Sequence, residues 1–210
     1  MISQKRMAIV LGSLVRSYQH FVIDTYGIGN NYSPRVNRES MSHYGSEPMN
    51  HYGFVPSDVD FTMVTLILLY DHIRSTSDRF IDRSISFLDI GCGIGNVVRL
   101  AEVIGFSAYG LEYNKKIYEV AKRFVCVPNA IKKGNMLTFK GYHKYDVLYY
   151  YQPICSNGIM SNFANKLARE MKVGAYVVPH GSNPFKDIKS FKKIPSSGYQ
   201  IYKKIAEVQK

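Results

Sequence analysis

Residues 87–96 read Phe-Leu-Asp-Ile-Gly-Cys-Gly-Ile-Gly-Asn, and their reading decides the fold. The apolar run Ile85, Phe87, Leu88, Ile90 has the composition of a buried strand. It enters a glycine-rich turn and leaves it in Val97-Val98-Arg99-Leu100-Ala101, a helical pattern. Strand, tight turn and helix in that order bring backbone close to a nucleotide-like ligand. Gly91, Gly93 and Gly95 lack the Cβ atoms that would block a ligand or forbid positive φ. The helix start adds free N–H groups.

Two acids give this turn its specificity. Asp89 stands at the end of the first strand. Glu112 follows 23 residues later and closes a second, Ala108-Tyr109-Gly110-Leu111-Glu112. A carboxylate at the tip of the second strand can accept two hydrogen bonds from a ribose diol. Dinucleotide folds use such an acid too, but their fingerprint is G-x-G-x-x-G with a pyrophosphate on the helix N-terminus. Here the glycines are at 91, 93 and 95, Asn96 follows, and Asp89 precedes them. A carboxylate there would repel a pyrophosphate and attract the ammonium of an amino acid. The pattern therefore points to S-adenosylmethionine and away from NAD.

On these residues the chain resembles the class I S-adenosylmethionine-dependent methyltransferases, over roughly residues 50 to 180. The matching segments are Asp89–Gly95, Gly110-Leu111-Glu112-Tyr113-Asn114, Lys133-Gly134-Asn135-Met136 and Tyr145–Pro153. The resemblance implies a cofactor site built from Asp89, Gly91, Cys92, Gly93, Gly95, Asn96, Glu112, Tyr113, Asn135 and Met136. Asp89 and the glycines would hold the methionine part, Glu112 the ribose, and Asn135 with Met136 the adenine. The family usually has an Asp where this chain has Asn135, whose side-chain oxygen can accept the same hydrogen bond from the adenine amine.

The family keeps substrate-facing groups in the segment that is here Tyr149-Tyr150-Tyr151-Gln152-Pro153-Ile154. Tyr-rich walls suit a cation through attraction to the ring faces. Tyr149 and Tyr150 can equally be packing residues on the two sides of a central strand. Tyr151 and Gln152, at the strand end, are the catalytic candidates. Amino-methylating DNA enzymes of the family carry Asp/Asn-Pro-Pro-Tyr at this place, and cytosine-carbon enzymes a Cys directly after Pro; this chain has neither. Tyr52-Gly53-Phe54-Val55-Pro56, ahead of a helix and the glycine turn, is similar to the entry of small class I lysine methyltransferases. A lysine acceptor must lose its ammonium proton, and His43, His51 and His180 are conceivable bases; a lone His in a loop is as readily a solvated polar residue.

Outward from the turn, strands are expected near 85–90, 107–112, 129–134, 145–151 and 174–179. Helices are expected near 95–104, 114–124 and 157–172. This alternation predicts an α/β, Rossmann-like, mainly parallel sheet with helices on both faces. The tail from Phe185 to Val208 suggests a hairpin around Ser196-Ser197-Gly198. Upstream, Ser57 looks like the N-cap of a helix from Val59 to Ile73. Residues 1–56 read as an N-terminal helix and loop extension, with 57–210 as the methyltransferase domain. Met63 to Tyr70 is too short an apolar run to span a bilayer.

Three widely spaced cysteines (Cys92, Cys126, Cys155) give no metal signature and suit a reducing cytoplasm. The net charge of +11 is uneven: residues 1–112 hold 9 basic and 11 acidic side chains, and residues 113–210 hold 18 and 5. That excess would attract nucleic acid, or it is a solvated lysine-rich surface. The expectation is a cytoplasmic methyltransferase whose acceptor is a protein lysine or other amine. A small molecule, RNA, and a non-catalytic module that keeps the fold are the alternatives.

Overall fold

The computed structural model describes residues 13–15, 17, 20, 58–76, 83–124, 129–151, 153, 154, 156–181, 183–196 and 200–208. Its frame is a seven-stranded sheet of β1 (Ser86–Ile90), β2 (Ser107–Glu112), β3 (Ile131–Lys133), β4 (Val147–Tyr151), β5 (Tyr176–His180), β6 (Phe191–Lys193) and β7 (Tyr202–Lys204). The strand order is β3-β2-β1-β4-β5-β7-β6. The first five strands pair in parallel, and β7 is antiparallel to both β5 and β6. The expected Rossmann-like sheet and terminal hairpin are both present.

Among the described residues, the sheet is covered by α1 (Val59–Thr76), α2 (Asn96–Ile104), α3 (Lys115–Phe124) and α4 (Asn157–Glu170). β1 is buried on both faces, so its side chains divide between two cores. Phe87 packs with Leu66, Leu69 and Ile73 of α1 and with Val97, Val98 and Ala101 of α2. Leu88 and Ile90 pack with Met160, Phe163, Ala164 and Leu167 of α4. Tyr149 and Tyr150 follow the same alternation on β4, and their rings pack one in each core.

Both ends of α1 differ from the sequence expectation. The cap of α1 is Asp58, whose Oδ1 accepts the Phe61 N–H at 3.0 Å; Ser57 lies outside the described residues. The helix starts at Val59, so the residue immediately before it takes the capping position, and a carboxylate there also suits the helix dipole. α1 also runs three residues beyond Ile73, to Thr76. In the N-terminal extension, the described residues Ser13, Leu14, Val15, Ser17 and His20 are helical. Val15 is buried against Val59, Met63 and Leu100, so this part of the extension packs on α1 and α2.

Asp146 ties the sheet together at the end away from the glycine turn. Its carboxylate accepts from the Ser86 N–H at 3.0 Å and the Ser86 hydroxyl at 2.7 Å, and pairs with Arg83 at 2.8 Å and Lys172 at 2.7 Å. These partners outweigh its burial and hold its pKa below the usual carboxylate range.

Two of the lysine pairs lie at opposite edges of the sheet. Lys132 and Lys133 lie on edge strand β3, and Lys192 and Lys193 on edge strand β6. With strands about 4.8 Å apart, six spacings separate the two pairs by about 29 Å. Lysines on edge strands hinder pairing with another chain. Lys204 is fully buried, its Nζ donating to the Met171 carbonyl and pairing with Glu207 at 2.6 Å. Among the described residues no helix is long and apolar enough to cross a membrane.

Candidate active site

In an open parallel sheet the ligand crevice lies beyond the carboxyl ends of the strands where the chain order reverses, here between β1 and β4. The register places Asp89 beside Tyr149 and Ile90 beside Tyr150. On the other side, Asp89 pairs with Gly110 and Ile90 with Leu111, so the tip of β2 with Glu112 extends past the end of β1. The turn after β1 is pinned to β2 by the Gly91 and Cys92 N–H groups, both donating to the Leu111 carbonyl at 2.8 and 3.1 Å.

Gly91, Gly93 and Gly95 all have positive φ, at 77°, 57° and 84°. A Cβ on Gly91 would meet Pro153 Cβ at 3.0 Å, so the turn touches the β4 exit segment. Cys92 is fully buried over β2, where its Sγ would lie 2.6 Å from a Cβ at Gly110. Burial, then the charges of Asp89 and Glu112, push its thiol pKa up. Cys92 thus packs between the turn and β2. Asn96, the first residue of α2, is buried beneath the same turn.

Glu112 holds the turn from the other side. Its two oxygens accept the Gly93 N–H at 2.9 Å and the Asn114 N–H at 2.7 Å. Each carboxylate oxygen has a second lone pair, so both bonds are compatible with accepting a diol. Burial raises the Glu112 pKa, and these backbone donors oppose the rise. Tyr113, beside it, is exposed.

Asp89 contrasts with Glu112. It is buried, yet no described residue donates a hydrogen bond to it or pairs with it. Desolvation, and after it the Glu112 charge, push its carboxyl well above the ordinary range. A buried acid without a donor is costly unless a ligand supplies one. The acid, the open glycine backbone and the carboxylate at the β2 tip thus fit a molecule carrying both a cationic group and a diol.

Asn135 and Met136 follow β3. The Asn135 Oδ1 accepts the Leu137 N–H at 2.8 Å, so one of its lone pairs is engaged in a local turn. Met136 is buried with Ile90 and Leu111, and its carbonyl accepts the Tyr142 hydroxyl at 2.8 Å. Tyr151 is partly exposed at the end of β4, where its ring stacks on His180 at 4.2 Å. Gln152, His43, His51 and Tyr52–Pro56 lie outside the described residues. Of the three conceivable bases, His180 alone is therefore located, and it stands at the rim.

Sequence reasoning did not single out Phe61, Thr62 or Gln200. With Tyr149, Pro179 and His180 they line a cavity of about 80 Å³ beside the crevice. Pairing of β4 with β5 places Tyr149 beside Val178 and Tyr151 beside His180, and this cross-strand register carries no local sequence signal.

No protein-family model and no curated protein sequence matches the chain. Solved structures do. An RNA methyltransferase from Salinibacter ruber in complex with S-adenosyl-L-homocysteine is 17% identical with a TM-score of 0.55, over 74% of this chain and 97% of that one. At that identity the likeness shows a shared fold. Two further matches are CalS10, an amino pentose methyltransferase from Micromonospora echinaspora, and the plantazolicin methyltransferase BpumL. The first is 17% identical at a TM-score of 0.45, over 70% of this chain and 68% of that one. The second is 15% identical at 0.48, over 85% of this chain and 61% of that one.

Proposed function

We propose that this chain is an S-adenosylmethionine-dependent methyltransferase. The observation that carries the reading is Asp89, a buried carboxylate without a described donor, directly before a turn of three positive-φ glycines and facing the charge of Glu112. An ammonium at Asp89 would relieve both its desolvation and its repulsion from Glu112. The fold shared with the Salinibacter ruber protein supports the reading, since that protein was crystallised with the demethylated product of the same donor.

Bound in the crevice, S-adenosylmethionine would supply a methyl group on a sulfonium, displaced in line with a neutral thioether as leaving group. The chain's own task is alignment and dryness. Asp89 and the 91–95 backbone fix the amino-acid end, and Glu112 fixes the ribose. Asn135 and Met136 border the adenine, while Pro153 closes the turn from the β4 side. Tyr151, at the end of β4, stands where the acceptor would enter. The acceptor is a nitrogen or oxygen nucleophile of a protein side chain, a small molecule or RNA.

Calorimetric titration of S-adenosylmethionine against the full chain tests this reading; no heat at millimolar ligand refutes it. Glu112→Ala should weaken binding sharply, and unchanged affinity would remove the ribose assignment.

A further inference from the structure

The cavity between α1, β4 and β5 contains groups that donor binding does not use. The His180 ring stacks on Tyr151 at 4.2 Å and on Phe61 at 5.3 Å. Its Nδ1 lies 3.3 Å from the Tyr149 hydroxyl, which lies 3.5 Å from Thr62 Oγ1. Gln200 also lines the cavity, and its Oε1 is buried without a hydrogen-bond partner. Stacking, a polar chain behind the ring and an unsatisfied acceptor beside it together make a built site. Its volume of about 80 Å³ admits a reacting group and excludes a large ligand. Tyr149 is common to both sites: it pairs with Asp89 across β1 and β4, and it walls the cavity.

Resting on the donor assignment above, we propose that this cavity receives the methyl acceptor as an uncharged hydroxyl or ring-conjugated amino group, and that His180 Nε2 takes its proton. Gln200 Oε1 accepts a hydrogen bond from the entering group and orients it. Tyr149 is a positioning residue: the His180 Nδ1–H donates to the Tyr149 oxygen, and the Tyr149 hydroxyl donates to Thr62. That direction leaves the Nε2 lone pair free. In the transfer the acceptor's heteroatom forms a bond to the methyl carbon. The carbon–sulfur bond breaks with its electron pair staying on the now neutral sulfur. The acceptor's proton passes to Nε2 and then to water.

The chemistry of the base selects the acceptor class. Burial lowers the His180 pKa, and Asp58, at the start of α1, opposes the shift. Tyr149 and Tyr151 on β4 are the other titratable groups against the ring, and burial keeps the Tyr149 phenol neutral. A free imidazole is already about four pKa units below a lysine ammonium, and the burial of His180 widens that gap, so this ring is a poor acceptor for a lysine proton. A hydroxyl or conjugated amine instead becomes strongly acidic as the methyl arrives, which matches a weak base.

The test uses the full chain saturated with S-adenosyl-L-homocysteine and the ring ¹⁵N signals of His180. The expected tautomer is protonated at Nδ1 with Nε2 bare, and Tyr149→Phe should shift the population toward Nε2–H. A wild-type ring protonated at Nε2 overturns the proposal. In parallel, label from methyl-labelled S-adenosylmethionine is followed into RNA, protein and small-molecule fractions, and the methylated atom is identified after digestion. An O-methyl or conjugated N-methyl product whose formation drops about 10²- to 10⁴-fold in His180→Asn, with donor affinity unchanged, is the expected result. Methyl-lysine as the product, or full activity in His180→Asn, overturns the inference while leaving the donor site intact. Absence of donor binding by the wild-type chain would instead remove the reading beneath it.

Discussion

Asp89→Asn separates ligand recognition from folding. The substitution keeps size and shape but removes the charge that the bound ammonium is argued to need. A hydrogen bond to a charged group contributes about 1.5–3 kcal/mol, and each step of about 1.4 kcal/mol is tenfold in affinity. The Asn variant should therefore bind S-adenosylmethionine about 10- to 150-fold more weakly. Methylthioadenosine, which has the adenosine and lacks the amino-acid end, should bind both proteins alike. Proton linkage gives a second readout. Burial and Glu112 raise the pKa of Asp89 in the ligand-free protein, so binding of a cation must release a proton. Wild-type affinity should rise with pH until the raised pKa is passed, then level off. Its binding heat should depend on the buffer's ionisation enthalpy at pH values below that pKa. The Asn variant should lack both effects. Because the folded pKa is raised, ionised Asp89 costs stability as pH rises through it, so the ligand-free variant should melt at or above the wild-type temperature near neutrality. Equal weakening for methylthioadenosine, or undiminished affinity for S-adenosylmethionine, would refute the reasoning.

Three other outcomes follow from the same structure. Gly91→Ala combines a φ of 77° with a Cβ 3.0 Å from Pro153, and should cost about 1–2 kcal/mol of stability and weaken donor binding; an unchanged melting curve and affinity would contradict it. Asp146→Ala removes the buried acceptor of the Ser86 N–H and hydroxyl together with one partner each of Arg83 and Lys172, and should cost about 1–3 kcal/mol in urea unfolding. The pKa of Asp146 is depressed, so its contribution is complete above the ordinary carboxylate range and is lost as pH falls through the lower folded value. The acid limb of the wild-type stability profile should flatten in this variant. Methyl transfer should be level around neutrality and fall only on the acid side of the ordinary imidazole range, because burial lowers the pKa at which His180 gains its proton. A rate still climbing well above neutrality, toward the lysine pKa of about 10.4, would indicate direct use of an amine that loses its own proton.

The fold is legible in the sequence wherever the signal is local. The apolar run Phe87–Ile90 and the glycines that follow announce β1 and its turn, and the acid at 112 closes β2 where expected. The helix ends are less legible, because Asp58 and Ser57 are both good caps and only the onset of helical geometry at Val59 chooses between them. The proposed donor half of the site is carried by one strand-turn-helix and the tip of the next strand, so it can be read from the sequence. The proposed acceptor half is not so carried. It gathers Phe61 and Thr62 from α1, Tyr149 and His180 from adjacent strands, and Gln200 from the last hairpin. Those residues meet only through sheet order and the antiparallel return of β7, which no short spacing encodes.

A crystal structure of the chain with S-adenosyl-L-homocysteine tests the central claim most directly. The account predicts the ribose hydroxyls within hydrogen-bond reach of the Glu112 carboxylate, the ammonium at Asp89, and the sulfur facing Tyr151 and the cavity beside His180. A ligand bound elsewhere, or a crevice that remains empty at saturating ligand, would contradict it.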